Sequence, residues 1–384
     1  MHPRRVLSIG NFFSAMHFFL VIYVVGPYLT FFMPEDLAGL VISLGAVITL
    51  FSFPLMPHLV RKYGAKKLAV GLAALQAIIL SVLAGSPSAV IAIIAVALTC
   101  AISPLIAYGL DLLLEATVAQ ENATGRIRTA FLTAANVALV LSPLLVGKLL
   151  DGGDRYDFVF LAAAFSLTPF IMLFLVESLP EGEPPRRSQL VATGMCIVHD
   201  PDLRAIAVAN ASLQLFFHLA PLYVPLYLHL SLGIPWSELG WIFAVAVVPF
   251  VLLEYPAGWL ADRYIGDKEM LMVGFVIMGV SFALFAFVTA ATPIYIIVTI
   301  LVATRVGAAL TEAMVEGHFF RRVSERDPNT VSVFRMMRPG GALLAPIIGS
   351  IVLAIGTYEI LFAVTGIAIA LVGFIATLRM QDVR

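Results

Sequence analysis

The chain has 384 residues, of which 61% are hydrophobic and 12% charged, with 23 Lys and Arg set against 24 Asp and Glu. Soluble domains carry roughly 45–50% apolar and about 25% charged residues, so a cytosolic enzyme and a disordered chain are excluded, and the balanced charge leaves no basic excess for nucleic-acid phosphates. The composition is that of an integral membrane protein, and its runs stay apolar for about twenty residues, where barrel strands would alternate over about ten.

The spans are therefore helices, and they follow one another in two sets of six. Met1, His2, Pro3, Arg4 and Arg5 precede an apolar stretch longer than a signal-peptide core, which is expected to remain as the first span. Spans are predicted near 7–31, 37–60, 67–85, 88–114, 128–150 and 157–176, and, after a polar interruption, near 203–230, 237–261, 269–291, 293–317, 331–355 and 358–378. Residues 1–177 and 203–384 are expected to form two six-helix bundles. Between them lies a cytoplasmic linker, 178–202, irregular around Pro180, Pro184 and Pro185, with a short surface helix expected from Leu190 to His199, ended by Asp200 and Pro201. Cys100 falls in an apolar run and Cys196 in a polar loop, so no disulfide framework is expected. Asn122 and Asn210 match the glycosylation pattern, the first in an inner loop and the second within a span, and neither is read as a modified site.

Basic residues set the orientation. With both termini cytoplasmic, 20 of the 23 Lys and Arg fall in inner loops or at the inner ends of spans; Lys148 and Arg155 fall outside and Arg305 in mid-membrane. The expected location is the plasma (inner) membrane, crossed many times.

The two halves repeat each other. Pro143 and Gly147 of the fifth span match Pro346 and Gly349 of the eleventh, the prolines standing 203 residues apart; Tyr63 and Tyr264, in the loops after the second and eighth spans, stand 201 apart. Asp111 and Glu115 of the fourth span match Glu312 and Glu316 of the tenth, again 201 apart. Two homologous bundles are what a carrier needs, because substrate can be held where they meet while they rock about it.

Over essentially its whole length the chain resembles the major facilitator superfamily. The loop after the eighth span carries a signature similar to that family's G-x-L-A-D-R-x-G-R-K, in Gly258, Leu260, Ala261, Asp262, Arg263, Gly266 and Lys268, with Ile265 as one extra residue. The first-half copy has Pro57 in place of Gly and Arg61 in place of Asp, and keeps Gly64, Lys66 and Lys67. The resemblance implies that Asp262 and Arg263 act at an inner gate, that spans one, four, seven and ten line a central cavity, and that the protein is a monomer. Ser142 and Pro143 resemble the Gly-Pro signature of the family's antiporters, although small residues and proline also serve plain helix packing.

Intramembrane polar groups carry the functional expectation, since an ionisable side chain at mid-bilayer costs about 2.5–3.5 kcal/mol even on the lenient insertion scale. Arg305 lies mid-way along the tenth span and keeps its charge, and Glu312 and Glu316 fall within about 40° of it around the helix. It is expected to meet either a substrate carboxylate or a protein acid such as Glu254 of the eighth span. Asp111, Glu115, Glu312 and Glu316 are expected to pair with Arg61, Arg126, Arg128, Arg335 and Arg338 as a gate, or, for Asp111 or Glu312, to bind a coupling proton. Asn210, Gln214 and His218 recur every four residues along the seventh span, and His17 and Tyr28 share a face of the first. These are the candidate substrate-binding or coupling residues, the histidines because they titrate near neutrality, with a hydrogen-bonded structural role as the alternative. Pro143, Gly147, Pro346 and Gly349 are expected to bend and closely pack their helices.

The function expected is secondary active transport of a small organic solute by alternating access, driven by protons, with the bilayer as surroundings and no cofactor or metal. Efflux of amphiphiles is slightly favoured by aromatic residues such as Phe216, Tyr223 and Tyr227 beside the polar stripes; import of an anion through Arg305 is the alternative. A transporter-like receptor or lipid-handling protein is the reading from another class. A membrane enzyme has little support: no H-E-x-x-H, G-x-S-x-G or phosphate-binding G-x-x-x-x-G-K-[ST] motif is present.

Overall fold

The computed structural model describes residues 1–121, 124–180, 190–323 and 328–381. The described residues hold no strand, as the absence of water in a bilayer demands: a helix satisfies its own backbone polar groups, an open strand does not. Twelve helices are long and apolar enough to cross a membrane: Pro3–Ile22, Glu35–Tyr63, Ala65–Ala84, Ala89–Thr117, Ala130–Leu149, Tyr156–Val176, Pro201–Ser231, Trp236–Leu253, Asp267–Phe287, Ile294–Phe319, Val333–Ile355 and Tyr358–Leu378. They are numbered here as spans one to twelve.

Proline explains where they depart from straight rods. The first helix ends at Ile22 and a five-residue helix, Val25–Leu29, follows; Pro27 has no N–H, and its ring opposes the carbonyl of Tyr23, so the coil breaks there. Tyr28 therefore sits on the short helix and not on the rod that carries His17. Pro54 and Pro57 give the second span a tightened turn at Phe53–Leu55. In the seventh span, Pro221 and Pro225 precede a widened π turn over Leu226–Ser231.

Leu190–His199 is helical and leads straight into the seventh span. At that junction the Asp200 carboxylate accepts from the backbone N–H of Asp202 (2.9 Å) and of Leu203 (3.1 Å), with Pro201 at the first helical position.

The chain divides into two compact units: Met1–Arg187 with Leu228–Ala244, and Ser188–Tyr227 with Val245–Arg384. In the first, span one packs on spans four, five and six, and span three on four and six. In the second, span seven packs on ten, eleven and twelve, and span nine on ten and twelve. These pairings are the same, with span two packing on span four in the first unit besides, and individual bonds match as well. Asn11 donates to the Phe131 carbonyl at 2.8 Å, and Asn210 donates to the Phe334 carbonyl at 3.4 Å. Lys66 donates to the carbonyl of Glu177 (2.8 Å); Lys268 donates to those of Leu378 (3.0 Å) and Met380 (2.9 Å). In each unit, then, the lysine at the start of the third helix satisfies carbonyls at the end of the sixth. The helix carrying that lysine begins after Gly64 (φ 83°) or Gly266 (φ 98°), both in a backbone region that side-chain-bearing residues avoid.

Lacking a hydrophobic drive between helices in lipid, the spans gain contact by bringing backbones close at small residues. A Cβ on Gly279 would stand 2.5 Å from the Gly366 carbonyl oxygen, and one on Gly366 2.5 Å from the Ala283 nitrogen, so spans nine and twelve touch through both glycines.

Candidate functional site

In the second unit the seventh span presents its polar residues as one connected row. Gln214 donates to the Asn210 side-chain oxygen at 3.2 Å, and His218 meets the Gln214 carbonyl through Nδ1 at 2.7 Å. A carbonyl only accepts, so Nδ1 carries the hydrogen and, in the neutral ring, Nε2 holds the lone pair. Asn210 and Gln214 are buried, while His218 is half-buried. Gly341 of the eleventh span lies against Gln214, where a Cβ would come within 2.8 Å of both its Cβ and its carbonyl oxygen.

Arg305 is 6% exposed, and its guanidinium carbon lies 5.1 Å from the centre of the Phe216 ring. The ring face is electron-rich and holds a cation without neutralising it. Phe216, Tyr223 and Tyr227 are themselves buried: Phe216 packs edge-on to Phe282, Tyr223 donates to the Pro346 carbonyl (2.8 Å), and Tyr227 donates to the Val288 carbonyl (2.5 Å). Gly349 lies directly under the Tyr223 ring. These aromatics build the second unit's interior.

A network that the sequence reading missed lies at one end of this unit. Asp202 is fully buried; its carboxylate accepts from the Gln381 backbone N–H at 2.7 Å and faces His318 Nε2 at 3.4 Å and Arg322 Nε at 3.5 Å. Asp267, also buried, pairs with Arg321 and faces His318 Nδ1 at 3.8 Å. The network ties together spans seven, nine and ten and the chain beyond span twelve. Its signal in the sequence is acids at the starts of spans seven and nine and bases at the end of span ten, an arrangement that also suits the helix dipoles and so reads as local capping.

The expected gate residues are placed individually. Asp111, Glu115, Glu316, Arg61, Arg335 and Arg338 are exposed, and Glu312 is half-buried. Arg263 is exposed and lies over the Trp259 ring at 5.6 Å. The side chains of Arg126, Arg128, Glu254 and Asp262 lie outside the described residues.

In the first unit His17 is 1% exposed and joins a polar cluster between spans one, three and four: its Nε2 stands 3.4 Å from Ser103 Oγ, and Gln76 Nε2 reaches the same oxygen at 3.4 Å. Tyr28 is buried among Phe32, Tyr156 and Phe160, its hydroxyl without a hydrogen-bond partner. Pro143 lies within the fifth span, where the Ser142 hydroxyl donates to the Ala138 carbonyl at 2.7 Å. One turn on, Gly147 abuts Gly240, and a Cβ there would come within 2.8 Å of the Trp236 carbonyl oxygen and 2.9 Å of the Gly240 Cα.

Twelve helices able to cross a membrane, with matching pairings in the two units and buried polar rows within them, make up an architecture shared with membrane transporters. Residues 206–383 match the family model described as the Major Facilitator Superfamily. The "Probable sulfoacetate transporter SauU" of Cupriavidus necator is 28% identical over 129 residues, 34% of this chain; the match takes in only 30% of that relative's length. Among solved structures, a mutant form of the nucleoside transporter NupG superimposes with a TM-score of 0.82 at 14% identity, covering 99% of this chain and 100% of that one. A bacterial metal transporter superimposes with a TM-score of 0.71 at 16% identity, covering 98% of each. At these identities the structural likeness speaks for the fold.

Proposed function

We propose that the protein is a secondary carrier that moves a small anionic organic solute across the membrane by alternating access, coupled to protons. The observation that carries this reading is Arg305, a permanent charge buried in mid-span against Phe216. Its place in mid-span suits a carboxylate or sulfonate, which can take two parallel N–H bonds from the planar guanidinium. The likeness to a sulfoacetate transporter supports the same solute class. Phe216, Tyr223 and Tyr227 are engaged in packing, so efflux of amphiphiles, the second reading, rests on the other aromatics of spans one and seven and on Ser142 and Pro143.

In this reading His218 and the Asn210–Gln214 row bind the solute alongside Arg305. Asp111, Glu115, Glu312, Glu316, Arg61, Arg335 and Arg338 form ion pairs that make and break at the inner gate, and Pro143, Gly147, Pro346 and Gly349 allow their helices to shift. The six-plus-six division supplies the two moving bodies, and the working form is a monomer in the plasma membrane with both termini cytoplasmic.

The test is uptake of sulfoacetate and a panel of small carboxylates and sulfonates into proteoliposomes with an imposed pH gradient. Acid outside should drive accumulation of at least one anion, and Arg305→Gln should reduce it at least tenfold. Anion uptake that ignores both the gradient and Arg305→Gln, or no anion uptake at all, contradicts the reading; gradient-driven release of an apolar amine would favour efflux.

A further inference from the structure

The end of span seven and the start of span eight, Leu228–Ala244, belong to the first unit. Close packing seats them there. A Cβ on Gly240 would fall 2.7 Å from both the Gly147 Cα and the Pro143 carbonyl oxygen, Phe243 stacks on Tyr23 at 5.1 Å, and Trp236 meets Tyr156 edge-on at 6.1 Å. To this packing His229 adds a polar contact. It lies in the widened last turn of span seven, and its Nε2 stands 2.9 Å from Oδ1 of Asp154, in the connection between spans five and six. Its Nδ1 stands 2.9 Å from the Ile234 carbonyl oxygen.

Neither partner of this ring has a hydrogen to give, because a carbonyl and an ionised carboxylate only accept. A neutral imidazole carries one N–H, so one of the two bonds lacks its hydrogen. Changing the tautomer moves the gap from one contact to the other, and flipping the ring sets carbon against both oxygens. The two bonds together need one proton more than a neutral ring and an ionised carboxylate possess. Whether it sits on the ring or on Asp154, the pair holds it. The ring is also fixed from its own side: Ile234 N–H donates back to the Leu228 carbonyl (3.0 Å), Gly233 N–H to that of His229 (3.1 Å), and the Trp236 ring lies 4.8 Å from the imidazole.

We propose that His229 and Asp154 form a proton-binding site that fastens Leu228–Ala244 to the first unit. The proton comes from water, which reaches both groups: the His229 side chain is 13% exposed and that of Asp154 38%. Bound, it bridges Nε2 and Oδ1 in a charge-assisted bond. Lost again to water, it leaves the Nε2 lone pair facing the carboxylate on a ring that Ile234 and Trp236 keep from turning away, and the fastening is undone. The other charged and titratable groups of these elements are Lys148 and Asp151, both exposed, Arg155, which is paired with Asp157, Glu238, half-buried in the first turn of span eight, and the buried Tyr156. On span seven itself, Tyr227 donates to the Val288 carbonyl. Arg155 is thus engaged by Asp157, and Asp154 by His229. The use of this proton in weighting the conformations of alternating access rests on the carrier reading, but the site itself does not.

The experiment measures the distance between spin labels on Gly152→Cys and Ser231→Cys, in the full chain with Cys100→Ser and Cys196→Ser, in lipid nanodiscs from about pH 5 to about pH 9. A Cβ at Gly152 meets nothing within 4 Å, and Ser231 is exposed. The expected result is a single short distance at the acid end and a growing longer population toward the alkaline end. Asp154→Asn supplies an amide hydrogen to the bare Nε2, and His229→Gln supplies one to the carboxylate, so each should keep the short distance throughout. Either variant suffices should the other fail to fold. Nitrogen NMR of 15N-histidine, with the signals assigned by their loss in His229→Gln, should show the hydrogen left after proton loss on Nδ1. A distance that ignores pH in the unmodified pair, a separation that persists in both variants, or a remaining hydrogen on Nε2 overturns the proposal. A pH-dependent distance in a protein that shows no proton-driven uptake would instead count against the coupled-carrier reading and leave the site standing.

Discussion

Asp202 is the residue whose environment most constrains its chemistry. It is fully buried, takes a backbone bond from Gln381 and faces both His318 and Arg322. Removing one member of such a buried set typically costs about 3–5 kcal/mol, because the remaining charges lose their partner. Asp202→Ala should lower the thermal unfolding midpoint in detergent by several degrees, and Arg322→Met, whose side chain is 41% exposed, by clearly less. Equal midpoints for Asp202→Ala and the unmodified protein would show that the network is not structural. Asp202 was invisible as a tertiary residue in the sequence because an acid next to Asp200 and Pro201 at a helix start is fully explained by local capping. Arg305 stood out for the opposite reason: nothing local accounts for an arginine twelve residues from either end of a span. The tautomer of His218 could not be foreseen either, since it depends on Nδ1 meeting a carbonyl that can only accept.

At the level of helices, composition located the spans to within a few residues, because the hydrocarbon thickness fixes their length independently of tertiary detail. The break after Ile22 was missed although its cause, Pro27, is in plain view; an apolar run does not register a missing N–H. The repeat also reached further than the loop signature suggested, to the equivalent caps made by Lys66 and Lys268. Lys66→Met and Lys268→Met should each destabilise by about 1 kcal/mol in chemical unfolding, with the corresponding arginine variants recovering part of the loss. A large effect in one half and none in the other would mean the two caps are not equivalent. The glycine crossings allow a sharper contrast. Gly279→Ala and Gly366→Ala place a methyl against backbone on the facing helix and should lower the unfolding midpoint markedly. Gly71→Ala meets nothing within 4 Å and should leave it unchanged or raise it slightly.

For the whole molecule, two units that share most of their internal pairings fit the proposed carrier reading. Each unit closes its own hydrogen bonds, through Asn11 and Lys66 in one and Asn210 and Lys268 in the other. The proposed alternating access requires each six-helix half to move as a body with its helix backbone groups satisfied internally. The class of protein was legible from composition, positive charge and repeat; the solute was not, because recognition depends on a few side chains whose placement only the fold decides. The central claim, that the two bodies alternately open a charged chamber to either side, is tested most directly by distances between spin-label pairs. One pair bridges the two units near Glu35 and Ala291, the other near Arg61 and Arg263, in a background of Cys100→Ser and Cys196→Ser. Alternating access predicts that acidification with a transported anion shifts the two distance distributions in opposite senses, one pair separating as the other approaches. Distributions that stay fixed, or that widen and narrow together at both ends, would contradict it.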